Sequence, residues 1–213
     1  ANGSYNFVNG VLSPAHNITL YKNVETPRIR YETEGKVGTS NPWTVSNNTP
    51  DHIYINSSAS TMDAGTNLYT TYYLCDVYGN RIYSGGYENT DVSITYDTSL
   101  NGQVFNDVSA EITAGIGTDT VTGTFSNGWV RANLSATQAG VIRPVATTPS
   151  FGPLPGGNEY AETVTVLPLS TVDHIDFAAG FSPPSTHTAS TGSNKMAFKV
   201  QLLDVYNNVI TQN

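Results

Sequence analysis

Acid–base, nucleophilic or metal chemistry would have to come from four histidines, one cysteine and 17 acidic residues. His16, His52, His174 and His187 are scattered. None falls in an H-E-x-x-H or C-x-x-C/H arrangement, the spacings that converge nitrogen and sulfur ligands on zinc. His52 and His174 each follow an aspartate and read as turn or inter-domain contacts rather than catalytic bases. Cys75 has only Arg81 as a basic neighbour to lower its pKa, so it reads as a small apolar filler near a strand end, and no disulfide can form within the chain. Asp76, Asn80, Glu88 and Asp91 are hard oxygen donors close in sequence, which suits Ca²⁺. The D-x-[DN]-x-[DN]-G loop is absent, however, and turn hydrogen bonding explains the same residues more simply. There is no nucleophile elbow, no phosphate loop and no carboxylate pair spaced for glycosidic cleavage. No cofactor and no enzymatic activity are expected.

What the sequence does show is repetition. Pro50-Asp51-His52-Ile53 returns 122 residues later as Val172-Asp173-His174-Ile175. Asp76-Val77-Tyr78-Gly79-Asn80 returns 128 residues on as Asp204-Val205-Tyr206-Asn207-Asn208. Phe7-Val8-Asn9-Gly10 returns 118 residues on as Phe125-Ser126-Asn127-Gly128. Three landmarks in one cyclic order imply a module of about 120 residues, long enough to hold its own core. The paired positions Asn9 and Asn127, Gly10 and Gly128, His52 and His174, Asp76 and Asp204, and Asn80 and Asn208 are then structural. Asn-Gly is a type I′ hairpin signal, and each aspartate can accept backbone N–H groups across its turn.

The elements that position these residues are strands. Met196, Phe198, Val200 and Leu202 alternate with Ala197, Lys199, Gln201 and Leu203, which predicts a strand with one buried face. Leu68–Leu74 has the same pattern. Further strands rich in Val, Ile, Thr and Tyr fall at 18–21, 28–32, 43–45, 53–56, 92–96, 111–113, 120–125, 130–135, 140–147 and 163–167. No stretch carries a 3.6-residue apolar period without Gly or Pro. The fold class expected is all-β: antiparallel β-sandwich modules in tandem, essentially without helix. Residues 1–48 match the last third of a module, 50–167 a whole one, and 171–213 the first third of another. The incomplete parts could belong to a longer array, could complete each other within the chain, or could complete neighbouring subunits by strand complementation.

The order of a strand closing on Asp76-Val77-Tyr78-Gly79-Asn80, then Thr124-Phe125-Ser126-Asn127-Gly128-Trp129-Val130-Arg131, then Ala139-Gly140-Val141-Ile142, resembles the bacterial and archaeal immunoglobulin-like surface domains of the invasin and intimin type. That resemblance implies a surface module that spaces, adheres or assembles.

Composition agrees. Only 12% of residues are charged, and the net charge is −8. Polarity comes instead from Asn, Ser, Thr and Tyr, a surface more typical of extracellular or cell-surface proteins. No basic run exists to neutralise nucleic-acid phosphates or to bind anionic membranes, and no apolar run is long enough to span a bilayer. The function expected is a non-enzymatic extracellular structural protein, part of a stalk, array or filament. Its partners would be neighbouring modules or other subunits, head to tail. An adhesin-type module that binds a host protein or a glycan through its 13 tyrosines is the alternative. Asn2, Asn17, Asn47, Asn56 and Asn133 stand in N-x-S/T sequons that permit glycosylation.

Overall fold

A computed structural model describes residues 6–8, 11–13, 17–23, 25–97, 100, 103–109, 111–156, 163–180 and 197–211. Every regular element among them is a β-strand. The all-β antiparallel architecture expected from the sequence is therefore the one observed. The chain divides into two compact units, Ala1–Ser46 and Asn47–Asn213.

In the first unit, β1 (Asn6–Val8) pairs antiparallel with β2 (Val11–Ser13), and β3 (Arg30–Thr33) with β4 (Lys36–Thr39). Glu34 and Gly35 connect the second pair with φ of +46° and +72°, the two positive values of a type I′ turn. The strand Lys36–Thr39 was not foreseen, because Glu-Gly is a weaker turn signal than Asn-Gly. The segments 18–21 and 43–45, expected as strands, carry no strand assignment. Trp43 N and Val45 N do donate to Pro27 O and Glu25 O, so the second segment is held like a frayed strand.

In the second unit, two sheets face each other. β5 (Pro50–Ser57), β7 (Asn67–Asp76), β12 (Trp129–Ala136) and β9 (Gln103–Val108) make one, in the spatial order β5-β7-β12-β9. The other runs β10-β11-β8-β13-β14-β6. It is built from β6 (Thr61–Asp63), β8 (Asp91–Asp97), β10 (Ile112–Ala114), β11 (Val121–Thr124), β13 (Gly140–Thr147) and β14 (Val164–Leu167). All pairings are antiparallel except β14 with β6.

Period-two alternation sets what lies between the sheets. Ile53, Ile55, Tyr72, Leu74, Val130 and Phe105 point inward from the four-stranded sheet and meet Val92, Ile94, Ile112 and Val121 of the six-stranded one. Leu154, from the proline- and glycine-rich segment that follows β13, tucks into the same core and so anchors that segment to it.

A final hairpin, β15 (His174–Phe177) with β16 (Val200–Leu203), repeats the β5–β7 pairing with His174 opposite Leu203 as His52 is opposite Cys75. Here the sequence reading needs correction. The face of Phe198 and Val200 was expected to be buried, yet these side chains are 59% and 55% exposed. Met196 lies outside the described residues. The alternation is genuine, but among the described residues no second sheet covers it. Ile175 shows the same contrast at 63% exposed, against 0% for its counterpart Ile53.

This difference can be measured. Ile53→Ala should cost about 3 kcal/mol in urea unfolding, through lost transfer energy and a cavity. Ile175→Ala should stay within about 0.5 kcal/mol of the parent, as at an exposed surface position.

Candidate functional site

The repeated residues build one device twice. Asp76 is 1% exposed and closes β7. Its carboxylate accepts from Asn48 N (3.0 Å), Tyr78 N (3.0 Å), Asn80 N (2.9 Å) and Asn80 Nδ2 (3.0 Å). Asp204 is 0% exposed. It accepts from Leu169 N, Tyr206 N and Asn208 N, each at 2.9 Å, and from Asn208 Nδ2 at 3.0 Å. The main chain repeats too. Asp76 N donates to Asn80 O as Asp204 N does to Asn208 O, and Ile82 N donates to Leu74 O as Ile210 N does to Leu202 O. Gly79 and Asn207 hold the same turn position with φ of +75° and +65°, a region in which asparagine is among the better tolerated side chains. His52 Nδ1 lies 3.1 Å from Asp51 Oδ2, and His174 Nδ1 lies 2.9 Å from Asp173 Oδ2.

Electrostatics follow from this geometry. Burial pushes both carboxyls up. For Asp76 the bonds from Asn48, Asn80 and Tyr78 outweigh burial, and for Asp204 those from Asn208, Leu169 and Tyr206 do. Both pKa values therefore end below their ordinary 3.8.

The second device also reaches outward. Asn208 Nδ2 donates to Thr137 O, and Ala139 N donates to Asn208 Oδ1, both at 2.7 Å. Tyr206 lies over Gly65, where a Cβ would collide with its ring. With Leu169 N on Asp204, these contacts fasten the β15–β16 hairpin to the β12–β13 loop and to the turn before β7. Sequence repetition singled out Asp204 and Asn208, but it gave no sign of the Asn208 partners Thr137 and Ala139, or of Gly65 beneath Tyr206, which lie far away along the chain.

At the other repeated pair, Asn127 and Gly128 take φ of +50° and +72° between the bridged residues Ser126 and Trp129. Asn9 and Gly10 lie outside the described residues, between the paired Val8 and Val11.

The candidate calcium ligands serve the backbone. Glu88 Oε2 accepts from Gly86 N at 2.9 Å, and the Asp91 carboxylate accepts from Ser150 N at 3.1 Å. Among the described residues no group of three or more His, Cys, Asp or Glu could hold a metal ion. Of the sequons, Asn17 and Asn56 are exposed. Asn47 is half-buried, and its amide bonds Tyr83 N, Ser84 O and Ser84 Oγ. Asn133 must be withdrawn as a glycan acceptor in the folded protein, because it is 0% exposed. A sequon carries no information about which face of a strand it occupies. Asn2 lies outside the described residues.

One further feature has the geometry of a site. On the outer face of the four-stranded sheet, Tyr54 and Tyr73 stand opposite each other with ring centroids 6.2 Å apart and planes 26° from parallel. Beside them Arg81 places its guanidinium carbon 4.1 Å above the Tyr83 ring. With His52 and Gly79 they line an open cleft of about 560 Å³. The tyrosine-rich strands were legible in the sequence. Arg81 and Tyr83 joined them only through the turn that follows β7.

No protein-family model and no curated protein matches the sequence. Solved structures similar in fold include FdeC, an Escherichia coli adhesin, at 16% identity and a TM-score of 0.44, covering 84% of this chain and 50% of that one. InvD of Yersinia pseudotuberculosis is similar at 17% identity and 0.43, covering 82% and 50%. A glycosyl hydrolase family 2 member from Bacteroides cellulosilyticus is similar at 15% identity and 0.41, covering 64% and 17%. The chain thus spans half the length of the first two and about a sixth of the third. At this level of likeness, function has to be argued from the chain's own residues.

Removing the carboxylate tests the device. Asp204→Ala leaves buried N–H groups unpaired and should raise amide exchange across Val200–Leu203 about 100-fold, equivalent to about 3 kcal/mol. The pH dependence has one sign. A carboxyl with a depressed folded pKa stabilises above its unfolded value, so protection should be complete above pH 3.8 and fall as pH drops through the folded values of Asp76 and Asp204.

Proposed function

We propose that the chain is a non-enzymatic segment of a cell-surface structural protein, in which immunoglobulin-like modules follow one another through fixed joints. The observation that carries this reading is the attachment of the β15–β16 hairpin. It repeats the β5–β7 pairing and is held by Asn208 to Thr137 and Ala139, by Asp204 to Leu169, and by Tyr206 against Gly65. Such a joint sets direction as well as connectivity, and modules joined this way span distance without folding back.

The exposed face of β15 and β16 also supports a reading of the partner. That apolar face, with Ile175, Phe177, Phe198 and Val200 all 40% or more exposed, corresponds to the face of Ile53, Ile55 and Tyr72 that lies against β8, β11 and β13. It calls for a second layer of the same kind. A neighbouring module of the same polypeptide, or a second subunit added head to tail by strand complementation, supplies that layer in this reading. Exposed Asn17 and Asn56 are the sequons that could carry glycans on such a surface.

An antibody raised against residues 50–167 should label intact cells of the source organism. Labelling only after lysis would refute a surface role. In solution, small-angle scattering should return the same maximum dimension across preparations of the parent chain. Asn208→Ala, which removes two bonds at the joint, should broaden the distance distribution, and an unchanged distribution would show that the joint does not depend on this residue.

A further inference from the structure

The two hairpins form an internal control that separates what the fold requires from what it does not. Both carry the aspartate device and the His–Asp pair. The outer face around them differs completely. Pairing register and main-chain bonds match Tyr54 with Asp176, Tyr73 with Gln201, Arg81 with Val209, and Tyr83 with Thr211. The same turn and hairpin therefore form without a single one of these aromatic or guanidinium groups. The cluster Tyr54, Tyr73, Arg81 and Tyr83 is not there to hold the turn.

The geometry points to a saccharide site in this cleft, shaped for a pyranose that bears a carboxylate. Tyr54 on β5 is 49% exposed and Tyr83, in the segment after β7, is 43% exposed, so both side chains reach solvent. An aromatic ring packs against the apolar C–H face of a sugar, while phenolic hydroxyls meet its hydroxyl groups. Arg81 supplies the charge. Its guanidinium carbon sits 4.1 Å from the centre of the Tyr83 ring, a contact that limits where the head group can go, and a guanidinium bonds carboxylates in a bidentate fork. In a chain with nine basic residues and a net charge of −8, this placement is the basis for expecting an anionic ligand. Gly79 stands at the rim beside open space, since a Cβ there would meet no atom within 4 Å.

The test is a ¹H–¹⁵N NMR titration of the full chain with methyl β-glucuronide, with uncharged methyl β-glucoside, and with a glucuronate-containing oligosaccharide. The glucuronide should shift amides of β5, β7 and residues 81–83 with a dissociation constant of about 1 mM, as an open cleft implies. The glucoside should bind at least about tenfold more weakly. Tighter binding of the oligosaccharide would place the ligand within a polysaccharide chain, and equal binding would place it at a single sugar. Both results support the site. Arg81→Val and Tyr73→Gln, the residues already carried by the second hairpin, should each weaken glucuronide binding about tenfold or more with the amide spectrum otherwise retained. If Tyr73→Gln perturbs the fold, Arg81→Val decides alone. Equal affinity for glucuronide and glucoside would overturn the carboxylate assignment. The absence of shifts in this cleft up to about 20 mM glucuronide would overturn the site, and would leave the reading of the chain as a surface structural segment untouched.

Discussion

The organisation of the second unit depends on a buried carboxylate at the end of a strand. Ionised carboxylates avoid protein interiors unless their lone pairs are filled, and Asp76 and Asp204 are filled by donors from their own turn and from the segment that precedes their hairpin. One group thus does three things. It closes the turn, sets where the next strand begins, and ties the approach of the chain to the hairpin's end. At Asp204 the donor is Leu169, only two residues beyond the last strand of the preceding sandwich. A local device thereby also ties β16 to the segment that follows β14.

The rest of the molecule divides along faces of sheets. Inward faces of β5, β7 and β12 carry Ile53, Tyr72, Leu74 and Val130 and are closed by the six-stranded sheet. Outward faces carry what the core does not need. On β5 and β7 that remainder is aromatic and sits beside Arg81. On β15 and β16 it is Asp176 and Gln201.

Much of this was legible from residue order. Strand alternation located Leu68–Leu74, because a period of two is all a half-buried strand needs. The Asn127-Gly128 turn was legible because those residue types favour positive φ. Short strands such as Thr61–Asp63, and Gln103–Val108 with its bulge against β12, were missed. Their pairing comes from neighbours distant in sequence rather than from their own pattern. Asn133 as a glycan acceptor failed for a related reason, since its burial depends on neighbours from elsewhere in the chain.

By itself the sequence determined the all-β class, the recurrence of the Asp-Val-Tyr turn, and the identity of the residues at it, because these rest on local backbone preference and two-residue periodicity. Only the tertiary structure decided that Asn208 grips Thr137 and Ala139, that Arg81 lies over Tyr83, and that Ile175 and Phe198 are exposed. Those outcomes depend on which distant segments arrive at the same place, and no local pattern of side chains carries that information.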